Sequence, residues 1–337
     1  MQIYDSPLAW RGEELKEHPE WEYFLNTSEI NEIKEALKRV KDRDMEMTQI
    51  KTDDFPLPNL SQKLQSVGEA LEKRTGSFFL RGWPNAEFDI EDNRLVFWGI
   101  SRHLGTPISQ SALGEMMYHV RDEGYKMGHP KARGPNTSKE LNFHCDRCDV
   151  IGFMCINQAR SGGDNYLVSS LTVHNEMLKR RPDLLEQLYQ PYYYKTHNVD
   201  LANPDRWCHQ PIFAIVDGYF VGYILRVLID RAYELPELPE MTTKQKEALD
   251  FLEQICEEPD IHYKFRQRPG DMLFVNNFVN FHSRTRFEDH EAPEKKRLLL
   301  RIWLATPNSR PLPSSFKGSF GKSEPGSIRG GIHKAPN

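Results

Sequence analysis

Apolar positions along the chain follow two periods, helical and strand-like, that succeed one another without a regular alternation. Ile30, Ile33, Leu37 and Val40 mark one helical face after Ser28, a capping residue, so residues 28–42 are expected to form an amphipathic helix. The run SFFLRGWP has strand-like bulk and ends in turn residues, whereas IEDNRLVFWGISRHLG has the helical period and should stop at Gly105. From residue 141 the texture becomes β-rich: NFHCDRCDVIGFMCINQA, the turn SGGDN, then YLVSS. Ser170 should cap a helix running to about Arg180, and Pro182 should open another that carries Leu184, Leu185 and Leu188. Thr242 with Gln245 forms a capping-box pattern ahead of Leu249, Leu252 and Cys256, so that helix should run to about Glu257. PGDMLFVNN and KRLLLRIWLAT read as strands separated by the polar loop SRTRFEDHEAPEK, with MLFVNNFVNF read as one continuous strand.

Short strands interrupted by helices, without βαβ alternation, favour a mainly β fold with flanking helices, an antiparallel sandwich or jelly roll. No internal repeat or linker divides residues 1–306, which are expected to form one domain. Residues 307–337, rich in Pro, Gly, Ser and Lys, read as an extended tail that either wraps the domain or stays mobile.

Composition narrows the function classes. A chain of 337 residues with 38% apolar and 28% charged residues is long enough for a substantial core and belongs with globular proteins. The net charge of -5 argues against a general nucleic-acid binder, and no apolar run is long enough to span a membrane. The N-terminus lacks the basic and then apolar stretch of a secretory signal, so the cytoplasm is the expected location. Five unevenly spaced cysteines fit reduced thiols better than a disulfide framework.

The informative chemistry is a split constellation. His144 and Asp146 lie two apart in a β-like run, so strand alternation should send both to one face, and His282 lies near the end of a later β-like run. Two imidazoles and one carboxylate leave about half the positions of an octahedral iron open, as oxygen-activating non-haem sites require. His-x-Asp or His-x-Glu alone is weak, since this composition yields about 1.7 occurrences by chance. Another occurrence, His18 with Glu20, sits in a polar setting and reads as surface. Cys145 and Cys148 spell CxxC, but strand alternation separates the sulfurs and no second pair completes a zinc site. Cys148 itself reads as a small buried hydrophobe, and His174 reads as structural within its helix. Arg297 and Arg301 share a strand face with Leu299 and Trp303, and a guanidinium fork in an apolar sheet suits a carboxylate ligand.

Taken in order, FHCDRCDV, SGGDN, PGDMLFVNNFVNFHSRTRFED and KRLLLRIWL resemble the taurine dioxygenase-like (TauD/TfdA-like) family of Fe(II)- and 2-oxoglutarate-dependent dioxygenases, over roughly residues 75–305. The resemblance implies a double-stranded β-helix of the clavaminate synthase-like kind. It implies iron ligands at His144, Asp146 and His282, and Arg297 on the distal carboxylate of 2-oxoglutarate. Arg301 then serves catalysis, facing either the proximal carboxylate or the substrate. Asn165 stands where the family often has threonine, and its amide could donate to the distal carboxylate. The implied reaction uses Fe(II), 2-oxoglutarate and O2 to hydroxylate a small organic molecule, releasing succinate and carbon dioxide. Asp146 argues against halogenation, because halogenases of this pattern replace the carboxylate with a small residue; desaturation, epimerisation and ring formation stay open. Gln110, His119, Arg121, Tyr192, Tyr193, Tyr194 and Arg226 are candidates to face a pocket. A homo-oligomer is left open, and the alternatives are a metal-binding jelly-roll protein without turnover and, more remotely, a zinc hydrolase.

Overall fold

The computed structural model describes residues 1–125, 134–197, 200, 203 and 205–333. Two sheets carry the site. In the larger, the strands run in the order Glu22–Phe24, Ser77–Arg81, Met272–Asn276, Val150–Asn157 and Leu298–Ala305, and the last pairs with both Thr106–Pro107 and Met117–Val120. In the smaller, the order is Tyr263–Phe265, Asn165–Ser169, Asn280–Arg284 and Leu141–His144. Every pairing in the smaller sheet is antiparallel, and in the larger only Glu22–Phe24 runs parallel to its neighbour. From residue 141 the chain crosses repeatedly between the two sheets, the jelly-roll pattern expected of a double-stranded β-helix.

Side-chain alternation decides what each sheet buries. Met272, Phe274, Leu300, Ile302 and Leu304 face the helices Thr27–Asp42, Leu60–Lys73 and Ile90–Arg102. Their neighbours Ile151, Leu273, Val275 and Trp303 turn the other way and meet Leu167 and Phe265 of the smaller sheet. On that sheet's outer face, Phe143, Val168 and Phe281 pack under Ser170–Arg180, Pro182–Leu188 and Thr243–Cys256. Leu298–Ala305 is therefore buried on both faces, which explains its nearly unbroken apolar sequence.

The helix predicted after Ser28 spans Thr27–Asp42, and its cap is Asn26: the Asn26 side chain accepts from the Glu29 N–H while the Glu29 carboxylate accepts from the Asn26 N–H. Ser28 lies inside the first turn. Ser169, not Ser170, likewise caps Ser170–Arg180, whereas the Thr242 and Gln245 capping box lies where the sequence put it. The continuous strand read into MLFVNNFVNF is in fact two strands in different sheets. The Asn276 side chain accepts from the Phe278 N–H, an Asx turn that breaks the ladder and carries the chain across the sandwich.

Residues 307–333 wrap across the domain. Leu312, Phe316, Phe320 and Ile332 are buried, Arg310 pairs with Glu72 at 2.6 Å, and Arg329 pairs with Asp149 at 2.8 Å. Among the described residues no helix is long and apolar enough to cross a membrane, and all five cysteines are free thiols.

Candidate active site

His144 and His282 are direct cross-strand neighbours in the smaller sheet, with ring centres 4.3 Å apart. Asp146 is not on the strand, which ends at His144. The backbone leaves the ladder there, with the Cys145 N–H bonded to Ile224 O and the Asp146 N–H bonded to Asn277 Oδ1 at 2.9 Å. Asn277 comes from the turn just before the His282 strand, so one amide fixes the distance between the two halves of the constellation. It also donates to Cys148 Sγ, and Cys148 is buried in the inter-sheet core. Cys145 packs in the outer cluster, so the two sulfurs lie on different sides, as alternation predicted.

His144, Asp146 and His282 each offer a ligand atom within 4.8 Å of the others, and they are the one such group of three among the described residues. The His144 Nδ1–H can donate to Asn142 O at 2.7 Å, which fixes the tautomer and leaves Nε2 as the free donor atom. Burial, helped by the neighbouring His282, pushes the His144 imidazole down to about 4, so it is neutral and ready to coordinate at physiological pH. Burial pushes the Asp146 carboxyl up, but Arg301 and the two imidazoles outweigh it and hold the group below the usual carboxylate range. Asp146 Oδ2 lies 3.6 Å from His282 Nε2, too far for a hydrogen bond, and both Asp146 Oδ2 and His282 Nδ1 are buried without a partner. An orphaned carboxylate oxygen facing two imidazoles fits a divalent cation with mixed N and O ligands.

The larger sheet supplies the cations. Arg301 Nε donates to Gln110 Oε1 at 2.8 Å, and its guanidinium rests 4.8 Å from the Trp303 ring centre. Arg301 Nη1 lies 3.6 Å from Asp146 Oδ1, while Nη2 has no partner. Arg297 is 1% exposed, and its Nε and Nη1 are likewise unpartnered. Burial without an ion-pair partner lowers its pKa well below the ordinary guanidinium value, to about 10. Gly163 makes room for it: the residue has φ +73°, and a Cβ there would sit 3.2 Å from Arg297 Nε. Asn165, on the facing strand, is half-buried with Nδ2 unpartnered.

These groups line one cavity of about 760 Å³. Of the other sequence candidates, Tyr194 and Arg226 line it, whereas Gln110 sits behind Arg301, and His119 and Arg121 line a separate cavity of about 390 Å³. Tyr192 belongs to the core, and Tyr193 stacks on His209 with ring centres 4.2 Å apart. His18 faces Glu20 at 3.6 Å, and His174 is buried with Nε2 bonded to Tyr189 OH at 2.9 Å. Two residues of the site, Arg284 in its lining and Asn277 behind Asp146, were not read from the sequence. Arg284 is buried beside the cavity, and burial followed by the charge of Arg297 lowers its pKa to about 9. Asn277 holds Asp146 in place. Arg284 lies in a segment whose polarity resembled a loop; its position two residues beyond His282, hence on the same strand face, was the available signal.

The profile of the family described as taurine catabolism dioxygenase TauD, TfdA family matches residues 42–303. The chain belongs to this family. Membership makes it an oxidoreductase of the Fe(II)- and 2-oxoglutarate-dependent dioxygenase class, in agreement with the resemblance read from the motifs. Among curated family relatives, FR-33289 synthase of Streptomyces rubellomurinus is 27% identical over 91% of this chain and 92% of its own length. A taurine hydroxylase-like protein of Stachybotrys chartarum is 26% identical over 88% of this chain and 78% of its own. Among solved structures, an asparagine oxygenase holding Fe(II), 2S,3S-3-hydroxyasparagine and succinate superposes with a TM-score of 0.66, at 15% identity over 84% of this chain and 93% of the other. The non-heme iron oxygenase OrfP holding Fe and alpha-ketoglutaric acid gives 0.61, at 15% identity over 84% and 93%. At these identities the two structures establish a shared jelly-roll fold.

Proposed function

We propose that this dioxygenase hydroxylates an unactivated C–H bond of a small polar organic molecule, with His144, Asp146 and His282 as the iron ligands. The observation that carries the assignment is the convergence of buried, unpartnered polar atoms on one cavity: Asp146 Oδ2 beside the imidazoles, then Arg301 Nη2, Asn165 Nδ2 and Arg297 Nε and Nη1. Buried polar groups without partners are costly, so their clustering points to ligands that complete them. Bound iron supplies the dioxygen chemistry that no side chain can perform.

The chain's own groups bind and orient. Arg297 takes the distal carboxylate of 2-oxoglutarate through its free edge, with Asn165 Nδ2 as a second donor. Arg301, held by Gln110 and stacked on Trp303, keeps a positive charge against Asp146 and presents Nη2 to the metal-proximal carboxylate. Phe153, Leu273, Val275 and Trp303 wall the cavity and limit water there. Tyr194, Lys195 and Arg226 line the same cavity and offer polar contacts to a substrate. The asparagine oxygenase structure holds 2S,3S-3-hydroxyasparagine and an OrfP structure holds (3S)-hydroxy-L-Arg, and both support a small polar substrate.

Anaerobic addition of Fe(II) and then 2-oxoglutarate to the metal-free protein should produce the weak visible charge-transfer band of the chelate. Admitting oxygen should then release succinate. His144→Ala and Asp146→Ala should lose both signals. Iron bound without either signal would mark a metal-binding protein lacking turnover.

A further inference from the structure

The smaller sheet contributes a second buried guanidinium next to the one assigned to the distal carboxylate. Arg284 is 5% exposed and lies directly across the ladder from Asn165. Its Nη2 donates to Thr137 O at 2.8 Å and also to Lys139 O, while its Nε is buried without a partner. The guanidinium carbon of Arg284 is 4.9 Å from the Phe287 ring centre, and that of Arg297 is 5.0 Å from the same centre. Two guanidiniums thus share one aromatic ring, and neither has an ion-pair partner among the described residues. Two strands and the residue just before a third deliver free donors to this end of the cavity, Arg284 Nε, Asn165 Nδ2 and Arg297 Nε with Nη1.

Like charges held close together in a poorly solvated pocket repel, and each has lost its water. One carboxylate bound among them would relieve the repulsion and satisfy the donors together. We infer that Arg284 is a second cationic binding residue for the distal carboxylate of 2-oxoglutarate, acting with Arg297. The inference rests on the dioxygenase reading of the cavity. It adds a structural connection, because the Nη2 edge of Arg284 carries the carbonyls of residues 137 and 139. Thr137 and Lys139 themselves line the cavity, a few residues before His144. Filling the carboxylate site therefore also braces the segment that leads into the metal strand.

The test compares 2-oxoglutarate with 2-oxopentanoate, which has the same five-carbon 2-oxo acid chain but ends in a methyl group. Both are titrated anaerobically into the Fe(II) protein and read by the chelate band. In Arg284→Met, affinity for 2-oxoglutarate should fall about tenfold to a hundredfold, the range for a lost hydrogen bond to a charged group. Affinity for 2-oxopentanoate should stay within about threefold, the scatter expected from small packing changes. Equal weakening of both acids would assign Arg284 a purely structural role and overturn the inference, as would unchanged 2-oxoglutarate affinity. Arg284→Lys keeps the charge and loses the fork, so it repeats the comparison if the methionine variant does not fold. Selective loss of 2-oxoglutarate affinity supports the inference there too, and parallel loss overturns it. A wild-type protein that shows no band with either acid would remove the underlying dioxygenase reading instead.

Discussion

Arg297→Met should stabilise the metal-free protein while destroying cosubstrate binding. Arg297 is buried with two nitrogens unpartnered, and its pKa falls from the ordinary guanidinium value to about 10 because burial penalises the charge. At neutral pH the group is charged in both folded and unfolded states, so the whole fall counts against folding, about 3 kcal/mol. Methionine fills much of the same space but gives up the contact with Phe287, a loss of about 1 kcal/mol. The variant should therefore gain about 2 kcal/mol. With an unfolding entropy of about 2.1 cal/mol/K per residue over this chain, the melting temperature should rise by roughly 3 °C. Loss of two charge-assisted hydrogen bonds to the carboxylate should weaken 2-oxoglutarate by at least about a hundredfold. Differential scanning fluorimetry of metal-free protein and the anaerobic chelate titration read the two effects separately. A variant that melts several degrees below wild type would refute the reasoning, because it would mean the guanidinium already has its partners and is not waiting for a ligand.

Three further outcomes follow from the same geometry. Burial pushes both His144 and His174 down to about 4, so below about pH 6.5 the unfolded chain takes up protons that the folded chain refuses. Urea unfolding of the metal-free protein should show stability falling from about pH 6.5 to 4, by up to about 1.4 kcal/mol per pH unit for each residue, and His174→Phe should flatten the slope. Gln110→Leu leaves Arg301 Nε without its acceptor and frees the guanidinium to close the 3.6 Å gap to Asp146. That competition should weaken Fe(II) binding about tenfold in a direct titration, consistent with about 1–2 kcal/mol, and unchanged iron affinity would count against the role given to Gln110. Arg329→Met strands the buried Asp149 carboxylate and should cost about 3–5 kcal/mol by chemical denaturation, while adding Asp149→Leu should restore much of it. A double variant no more stable than the single one would mean that the tail is held by its apolar contacts, not by this pair.

The triad was legible because each of its members carries a local signal: a two-residue spacing in a β-like run, and a histidine at the end of another. The route by which the members meet was not legible. Strand alternation predicts Asp146 beside His144 on one face, yet the chain has already left the ladder, and the carboxylate is aimed by the Asn277 amide from the turn preceding His282. The structure brings His144 and Asp146 together for a different physical reason. The same turn hides in MLFVNNFVNF, where strand composition on both sides outweighs the single cue of two adjacent asparagines, one of which accepts from the Phe278 N–H. Arg297 and Arg301 were legible because charge inside an apolar strand is conspicuous. Arg284 was not, because its neighbours in SRTRFED are polar and only tertiary packing removes it from water. Burial of a charge is a property of the assembled sheets, and no period in the sequence records it. The tail shows the same limit: Phe316 and Phe320 are buried among residues whose composition reads as solvent-exposed, because Arg310 and Arg329 find Glu72 and Asp149 far away in sequence. Long-range pairing of charges therefore completes both the site and the wrap around it, through contacts that local pattern cannot anticipate.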